Sequence, residues 1–172
     1  VDAIIIEDYN KGLLTESLIS RVINLAKGNN KPVTVDPKFK NFFAYKGCTV
    51  FKPNLSELQK NLGIIIETDE DFSNAITTLK NRIESDHVII TRGERGLTIL
   101  SGDQQEISIP TFAREVFDVS GAGDTVISTL TLSLVSGYDI VEAATIANHA
   151  AGKVCAKFGI YAVTPEDIVE SF

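Results

Sequence analysis

Residues 3–37 read AIIIEDYNKGLLTESLISRVINLAKGNNKPVTVDP. Ala3 to Glu7 is β-branched and almost wholly apolar, the pattern of a strand buried on both faces, and Asp8 to Leu14 follows as a loop. Thr15 can cap a helix that carries Leu18, Ile19, Val22, Ile23 and Ala26 on one face, with Gly28 as its C-terminal stop. Pro32 and Pro37 then bracket a second short strand, Val33 to Asp36. Strand, helix and strand in this order predict a βαβ unit with a right-handed crossover.

The same alternation continues to the end of the chain. Thr49 to Lys52 is a third strand stopped by Pro53, and Asn54 with Glu57 has the N-cap and N3 arrangement for a helix through Leu62. Asp69 to Ser85 spaces Phe72, Ile76, Leu79 and Ile83 as a helix does. His87 to Thr91 is a fourth buried strand, and Leu97 to Leu100 with Glu106 to Ile109 predicts a hairpin around Gly102-Asp103. After a loop from Pro110 to Ser120, helices are expected over Gly121 to Ser136 and Asp139 to Phe158, the second with a capping box at Glu142 and a stop at Gly159. Thr164-Pro165 opens a last short helix. The fold class is α/β, a layered, mostly parallel sheet flanked by helices.

Composition narrows the function. The chain has 172 residues, 44% of them hydrophobic and 23% charged, which suits one domain or part of one. Twenty-three acids against 16 Lys and Arg give a net charge of −7, so the chain as a whole should repel nucleic acid and anionic membranes. Cys48 and Cys155 stand apart without metal-ligand company, the pattern of small buried hydrophobes in a reducing, cytoplasmic compartment. The longest uncharged stretch, Thr125 to Tyr138, is too short and too rich in Ser and Thr to span a bilayer and reads as a buried core helix. There is no methionine, and the chain opens directly on its first apolar run, so a piece of a longer protein is expected.

In sheets of this kind ligands bind beyond the carboxyl ends of the strands. Polar or glycine-bearing segments follow most of the predicted strands: Asp8 to Gly12, Asp36 to Lys38, Lys52 to Glu57, and Thr91 to Gly96. Lys11 and Lys38 are either solvated loop lysines or the cations that a phosphate needs on an acidic protein. Asp118-Val-Ser-Gly-Ala-Gly-Asp124 leads from a loop into an apolar helix. Gly121, Ala122 and Gly123 would let an anion approach the backbone and the positive end of the helix, and Asp124 would stand where a carboxylate can take the proton of an attacking hydroxyl. The alternative is a glycine-rich helix start whose Asp only complements the dipole. Neither the GxxxxGK[ST] loop nor a complete dinucleotide fingerprint is present.

Asp118 to Asp124 resembles the D-T-x-G-A-G-D signature of the ribokinase-like (PfkB) carbohydrate kinases, with Val119 in place of the usual Thr. Asn54-Leu-Ser-Glu57 is similar to that family's N-x-x-E motif, Thr91 to Gly96 to its T-x-G-x-x-G loop, and Ala147-Asn-His-Ala-Ala-Gly152 to its adenine-bordering helix. The resemblance implies ATP and Mg²⁺ as cofactors. It assigns Asp124 as the base, Gly121 to Gly123 to the phosphates, Glu57 to magnesium through water, and Asn54, Thr91, Gly93, Gly96 and Asn148 to the nucleotide. Asp8-Tyr-x-Lys-Gly12 and Val35-Asp-Pro-Lys38 look most like the kinase domain of the ADP-heptose synthesis enzymes. That implies transfer of the γ-phosphate to the 1-hydroxyl of D-glycero-β-D-manno-heptose 7-phosphate, for lipopolysaccharide core assembly.

By the same resemblance, these residues are the C-terminal part of a single kinase domain whose N-terminal strands, sugar-binding residues and small β lid lie elsewhere. The lid often forms the dimer contact, which makes a homodimeric parent an expectation, and an adenylyltransferase domain follows in the bifunctional relatives. The fragment alone should not turn over, since lid closure completes such sites. Residue by residue, Asn54 and Glu57 also suit a simple helix cap, and Thr91, Gly93 and Gly96 a simple turn. Arg92 and Arg95 are left outside the site, His149 reads as a packing residue or a support for a neighbouring site residue rather than a metal ligand, and Thr125 and Ser128 are expected to face the core. Two further readings stay open: a kinase of another sugar, nucleoside or vitamin alcohol, and a catalytically silent nucleotide- or sugar-binding module.

Overall fold

The computed structural model describes residues 1–102, 106–113 and 116–172. Six strands form one sheet in the order β1 (Ile4–Glu7), β2 (Val33–Asp36), β3 (Val50–Phe51), β4 (His87–Thr91), β5 (Leu97–Leu100) and β6 (Glu106–Ile109). The first four are parallel, with Ile4 opposite Val33, Thr34 opposite Val50 and Val50 opposite His87. The helices are α1 (Glu16–Gly28), α2 (Leu55–Leu62), α3 (Asp69–Ile83), α4 (Ala122–Val135), α5 (Ile140–Cys155) and α6 (Pro165–Val169). The α/β class expected from the alternation is the class observed. Asp103 of the expected hairpin turn, and Arg114 and Glu115 of the expected loop, lie outside the described residues.

The chain divides into two compact units, one of Val1–Arg92 with Thr98–Ile107 and one of Gly93–Leu97 with Ser108–Phe172. In the first, Ile19 and Ile23 of α1, Val33 and Val35 of β2, Leu58 of α2, Ile76, Leu79 and Ile83 of α3 and Ile90 of β4 make one buried cluster. Each such side chain contributes about 1.5–3 kcal/mol of burial free energy, enough to hold the strand ends at fixed positions. Phe42 meets Phe43 and Phe51 edge-on, at 5.1 and 5.2 Å between ring centroids. Cys48 is buried here, as expected.

In the second unit α4 buries Val126, Ile127 and Leu130, and α5 buries Ala143, Ala144, Ala147, Ala150 and Val154. The alanines let the two helices approach closely. Cys155 is buried in this unit. No helix among the described residues is long and apolar enough to cross a membrane.

Several boundaries and faces differ from expectation. Among the described residues strand β1 pairs with β2 alone, as expected if its N-terminal neighbours lie elsewhere, but Ile5, expected to be buried on its face, is 41% exposed. Helix α1 includes Gly28 and is capped by Asn29. Helix α3 ends at Ile83 because Glu84 takes a left-handed φ of 57° and turns its N–H onto Lys80 O at 2.8 Å. Helix α5 ends at Cys155, three residues early, because the Cys155 carbonyl accepts from Phe117 N and Asp118 N and Gly159 N donates to Asp118 Oδ2 instead. Helix α4 is not buried all round: within the second unit Leu132 is 67% exposed. Ser128 is exposed as well, on the stripe that Asp124 and Leu132 share at a spacing of four, while Thr125 is half-buried.

Candidate functional site

Asp36 ends β2 before Pro37, and Lys52 follows the adjacent parallel strand β3 before Pro53. The strand register brings them together as a buried ion pair, Lys52 Nζ to Asp36 Oδ2 at 2.9 Å, with Lys52 only 2% exposed. Lys38 then reaches back to the same group: its Nζ is 3.8 Å from Asp36 Oδ1 and donates to Glu57 Oε1 at 2.7 Å. Partial burial works to lower the Lys38 pKa, but the hydrogen bond to Glu57 and the charges of Asp36 and Glu57 outweigh it and raise it above the usual lysine value.

Glu57 is fixed from its other side by the start of α2. Asn54 Oδ1 accepts from Glu57 N at 2.8 Å, and Glu57 Oε2 accepts from Asn54 N at 2.9 Å, a complete capping box. Asn54 also forms a parallel bridge with Thr91. The first unit therefore brings Lys38, Asn54, Glu57 and Thr91 together and adds Asp36 and Lys52, which were not among the candidate residues. The signal that could have found them is the repeated charged-residue-then-proline ending of two neighbouring strands. A carboxylate has about four lone-pair positions. Glu57 Oε1 and Oε2 each accept one of the bonds above, so the residue fits an octahedral Mg²⁺ reached through water.

Lys11 is not part of this group; it is exposed on the loop after β1. What that loop does bury is Asp8, whose carboxylate accepts from Tyr45 Oη at 2.7 Å, Asn41 Nδ2 at 3.3 Å and Asn10 N at 2.7 Å. Sequence reading did not reach Asn41 or Tyr45, which lie 33 and 37 residues along the chain from Asp8.

In the second unit, Asp118 ties the approach to α4. Its Oδ1 accepts from Ser120 N at 2.9 Å and its Oδ2 from Gly159 N at 3.2 Å, and the backbone and hydroxyl donors of Ser120 are the main reason its carboxyl lies below the usual range. Gly121 follows with φ 79° and is the N-cap of α4, so no side chain caps this helix. A Cβ added at Gly121 would meet nothing within 4 Å. Ala122, Gly123 and Asp124 form the first turn, and Asp124 is exposed.

Gly93 and Gly96 belong to this unit and both take left-handed φ values, 59° and 75°. They differ in purpose. A Cβ at Gly96 would sit 2.1 Å from Ile109 O, so packing alone demands glycine there, whereas Gly93 has open space. Asn148 is buried and donates from Nδ2 to Pro110 O at 2.7 Å, which makes it the anchor of the segment after β6. His149 stacks between Phe112 at 3.6 Å and Phe172 at 4.0 Å, and burial holds its imidazole below the usual histidine range. It is a packing residue, as expected.

A profile of the pfkB family carbohydrate kinases matches residues 2–167. The chain belongs to that family. Among its curated pfkB relatives is the bifunctional protein HldE of Trichlorobacter lovleyi, 40% identical over 168 residues that make up 98% of this chain and 34% of that protein. HldE of Citrifermentans bemidjiense is 42% identical over 98% of this chain and 34% of the relative, and HldE of Caulobacter vibrioides 41% identical over 97% and 35%. The chain thus spans about a third of the length of these relatives.

Solved structures carry the same ribokinase-like fold. Arabidopsis thaliana ribokinase, complexed with ribose and ATP, superposes with a TM-score of 0.86 at 20% identity, over 99% of this chain and 55% of that one. Escherichia coli phosphofructokinase-2, in complex with potassium, gives 0.80 at 18% identity over 91% and 52%.

Proposed function

We propose that these residues are the C-terminal part of a kinase domain that transfers the γ-phosphate of ATP to the 1-hydroxyl of D-glycero-β-D-manno-heptose 7-phosphate. The observation that carries the phosphoryl-transfer reading is the start of α4: a glycine N-cap in the left-handed region, no side-chain cap, and an exposed carboxylate at the third helical position. A helix start of that kind presents backbone N–H groups and a positive dipole end to an anion. The sugar rests on the residues that resemble the ADP-heptose synthesis kinases and on the likeness to the HldE proteins.

In the proposed reaction the Asp124 carboxylate accepts the proton of the 1-hydroxyl as that oxygen attacks the γ-phosphorus. The bond from the γ-phosphorus to the β–γ bridging oxygen breaks, and ADP leaves. The N–H groups of the Gly121 to Gly123 segment stabilise charge on the transferring group. Glu57, held by Asn54, would hold Mg²⁺ through water, and the ion would supply charge neutralisation to the phosphates. Lys38 supplies a cation for phosphate once it leaves Glu57, Lys11 supplies a second, and Thr91, Gly93, Gly96 and Asn148 shape the nucleotide contacts. We place the reaction in the cytoplasm, where ATP is made, with a homodimeric parent.

The test is ADP release by the full-length protein with Mg²⁺ and ATP, comparing heptose 7-phosphate with other sugars, sugar phosphates and nucleosides. Turnover on heptose 7-phosphate that vanishes in Asp124→Asn is the expected result. Turnover only on another alcohol removes the heptose assignment and keeps the base. ATP binding without hydroxyl-dependent ADP release overturns the kinase reading in favour of a silent binding module.

A further inference from the structure

The loop between β1 and α1 contains a buried carboxylate that the reaction above does not use. Asp8 is 4% exposed, and all the donors on it are neutral: the Tyr45 hydroxyl, the Asn41 amide and the Asn10 backbone N–H. Among the described residues no lysine or arginine forms an ion pair with it. A buried carboxyl group held by neutral donors alone stabilises a fold no better than an apolar residue of similar size, so what the network does is read from what it holds in place.

The donors on Asp8 converge on the shape of the loop. Asn41 Nδ2 donates to Asp8 Oδ2 at 3.3 Å and also to Leu14 O at 2.8 Å, so one buried amide holds both ends of residues 8–14. The loop is anchored to the sheet through Asp8 N, which donates to Asp36 O at 3.0 Å. Between these ties the backbone turns through left-handed φ values at Asn10 (55°) and Gly12 (90°), and Tyr9 and Lys11 are left exposed. Tyr45 itself is fully buried beside Phe51, at 6.2 Å between centroids, so its hydroxyl can act on the loop only through Asp8.

We propose that Asp8, clamped by Tyr45 and Asn41, is the positioning residue of the 9–12 loop, and that this loop sets Lys11 and Tyr9 against the phosphate that the acceptor sugar already carries. The proposal deepens the kinase reading and rests on it. It assigns the loop to the acceptor's own phosphate monoester and leaves the transferred phosphate to α4. Asp8, Asn41 and Tyr45 touch neither substrate; they act through the loop.

Tyr45→Phe removes one hydroxyl and keeps the ring. In the full-length protein, with the best acceptor from the substrate panel, the KM for the sugar phosphate should rise roughly five- to tenfold, the effect of one hydrogen bond, while kcat and the KM for ATP stay within about twofold. Lys11→Ala should raise the same KM, and Tyr45→Phe added to Lys11→Ala should cost little more, since both act on one contact. Hydrogen exchange should quicken in a peptide covering residues 9–14 and stay unchanged over 121–130. A Tyr45→Phe variant that loses thermal stability but keeps its KM overturns the positioning role and leaves the kinase reading intact. A wild type that turns over no alcohol overturns both. Additive effects of Lys11→Ala and Tyr45→Phe would also overturn the proposal, because two independent contacts would then be at work.

Discussion

Helix α2 and helix α4 both start at candidate residues, and they start in opposite ways. At α2 the side chains close on the backbone: Asn54 and Glu57 cap each other, and Lys38 covers the remaining oxygen of Glu57 at 2.7 Å. At α4 the cap residue is Gly121, which has no side chain to offer. The other four helices are all capped by a Thr or Asp side chain, at Thr15, Thr68, Asp139 and Thr164. A self-capped start satisfies its own donors and presents a carboxylate, which suits a cation. An uncapped glycine start withholds competition from the helix dipole, which suits an anion.

The largest expected effect lies at α4. Asp124→Asn keeps the shape and removes the basic oxygen, so kcat should fall about 10²- to 10⁴-fold while ATP affinity measured by calorimetry changes little. Near-normal turnover would remove Asp124 from the chemistry. Gly121→Ala comes next. The left-handed φ of 79° costs an alanine about 1–2 kcal/mol of stability, and the added methyl meets no protein atom within 4 Å. Any rise in the KM for ATP beyond what partial unfolding explains therefore reports the ligand's approach to the helix start. An unchanged KM in a folded variant would move the nucleotide away from α4.

At α2 the effect should be smaller and of another kind. Asn54→Ala removes the cap and should cost about 1 kcal/mol of stability, read in a denaturant melt. The residue-54 backbone N–H that Glu57 Oε2 accepts from is kept, but the Glu57 N–H loses its Asn54 Oδ1 acceptor and the turn that carries the carboxylate loosens, so the Mg²⁺ concentration for half-maximal activity should rise while the KM for the sugar stays put. Loss of stability with no change in Mg²⁺ dependence would reduce the motif to a helix cap.

This contrast was partly legible in the sequence. Asn54 with Glu57, and Gly121 before an apolar helix, are local patterns, and local patterns survive translation into structure because the partners are three residues apart. The mostly parallel pairing followed from the alternation of strands and helices, since each crossover helix returns the chain to the same end of the sheet. The Asp36–Lys52 pair was out of reach because it depends on the β2–β3 register, and the Asp8–Tyr45–Asn41 network because it joins residues more than 30 positions apart. Helix ends were missed where a tertiary contact decided them, as at Cys155, whose carbonyl serves the 117–118 backbone. The exposure of Ile5 and Leu132 was missed because an apolar residue type does not state which neighbours are present to cover it.

The smallest effect tests whether α2 is closed by its cap alone or by Lys38 as well. Partial burial pulls the Lys38 pKa down, but the hydrogen bond to Glu57 and the charges of Asp36 and Glu57 win, and the folded-state value lies above the usual 10.5. A lysine whose pKa is raised on folding contributes stability that is fully present below its unfolded value and is lost as the pH rises through the folded one. Lys38→Met should therefore be less stable than wild type at pH 7, with the gap narrowing only above pH 10.5. The Lys38 side chain is 37% exposed, so solvent screens the pair; the gap should stay under about 1 kcal/mol and shrink with added salt. Melts of the two proteins from pH 7 to 11 at low and high ionic strength would show it. A gap that ignores both pH and salt would mean that Lys38 acts through packing of its methylene stem. Glu57 would then owe its position to Asn54 alone, and Lys38 would already be free to meet a phosphate.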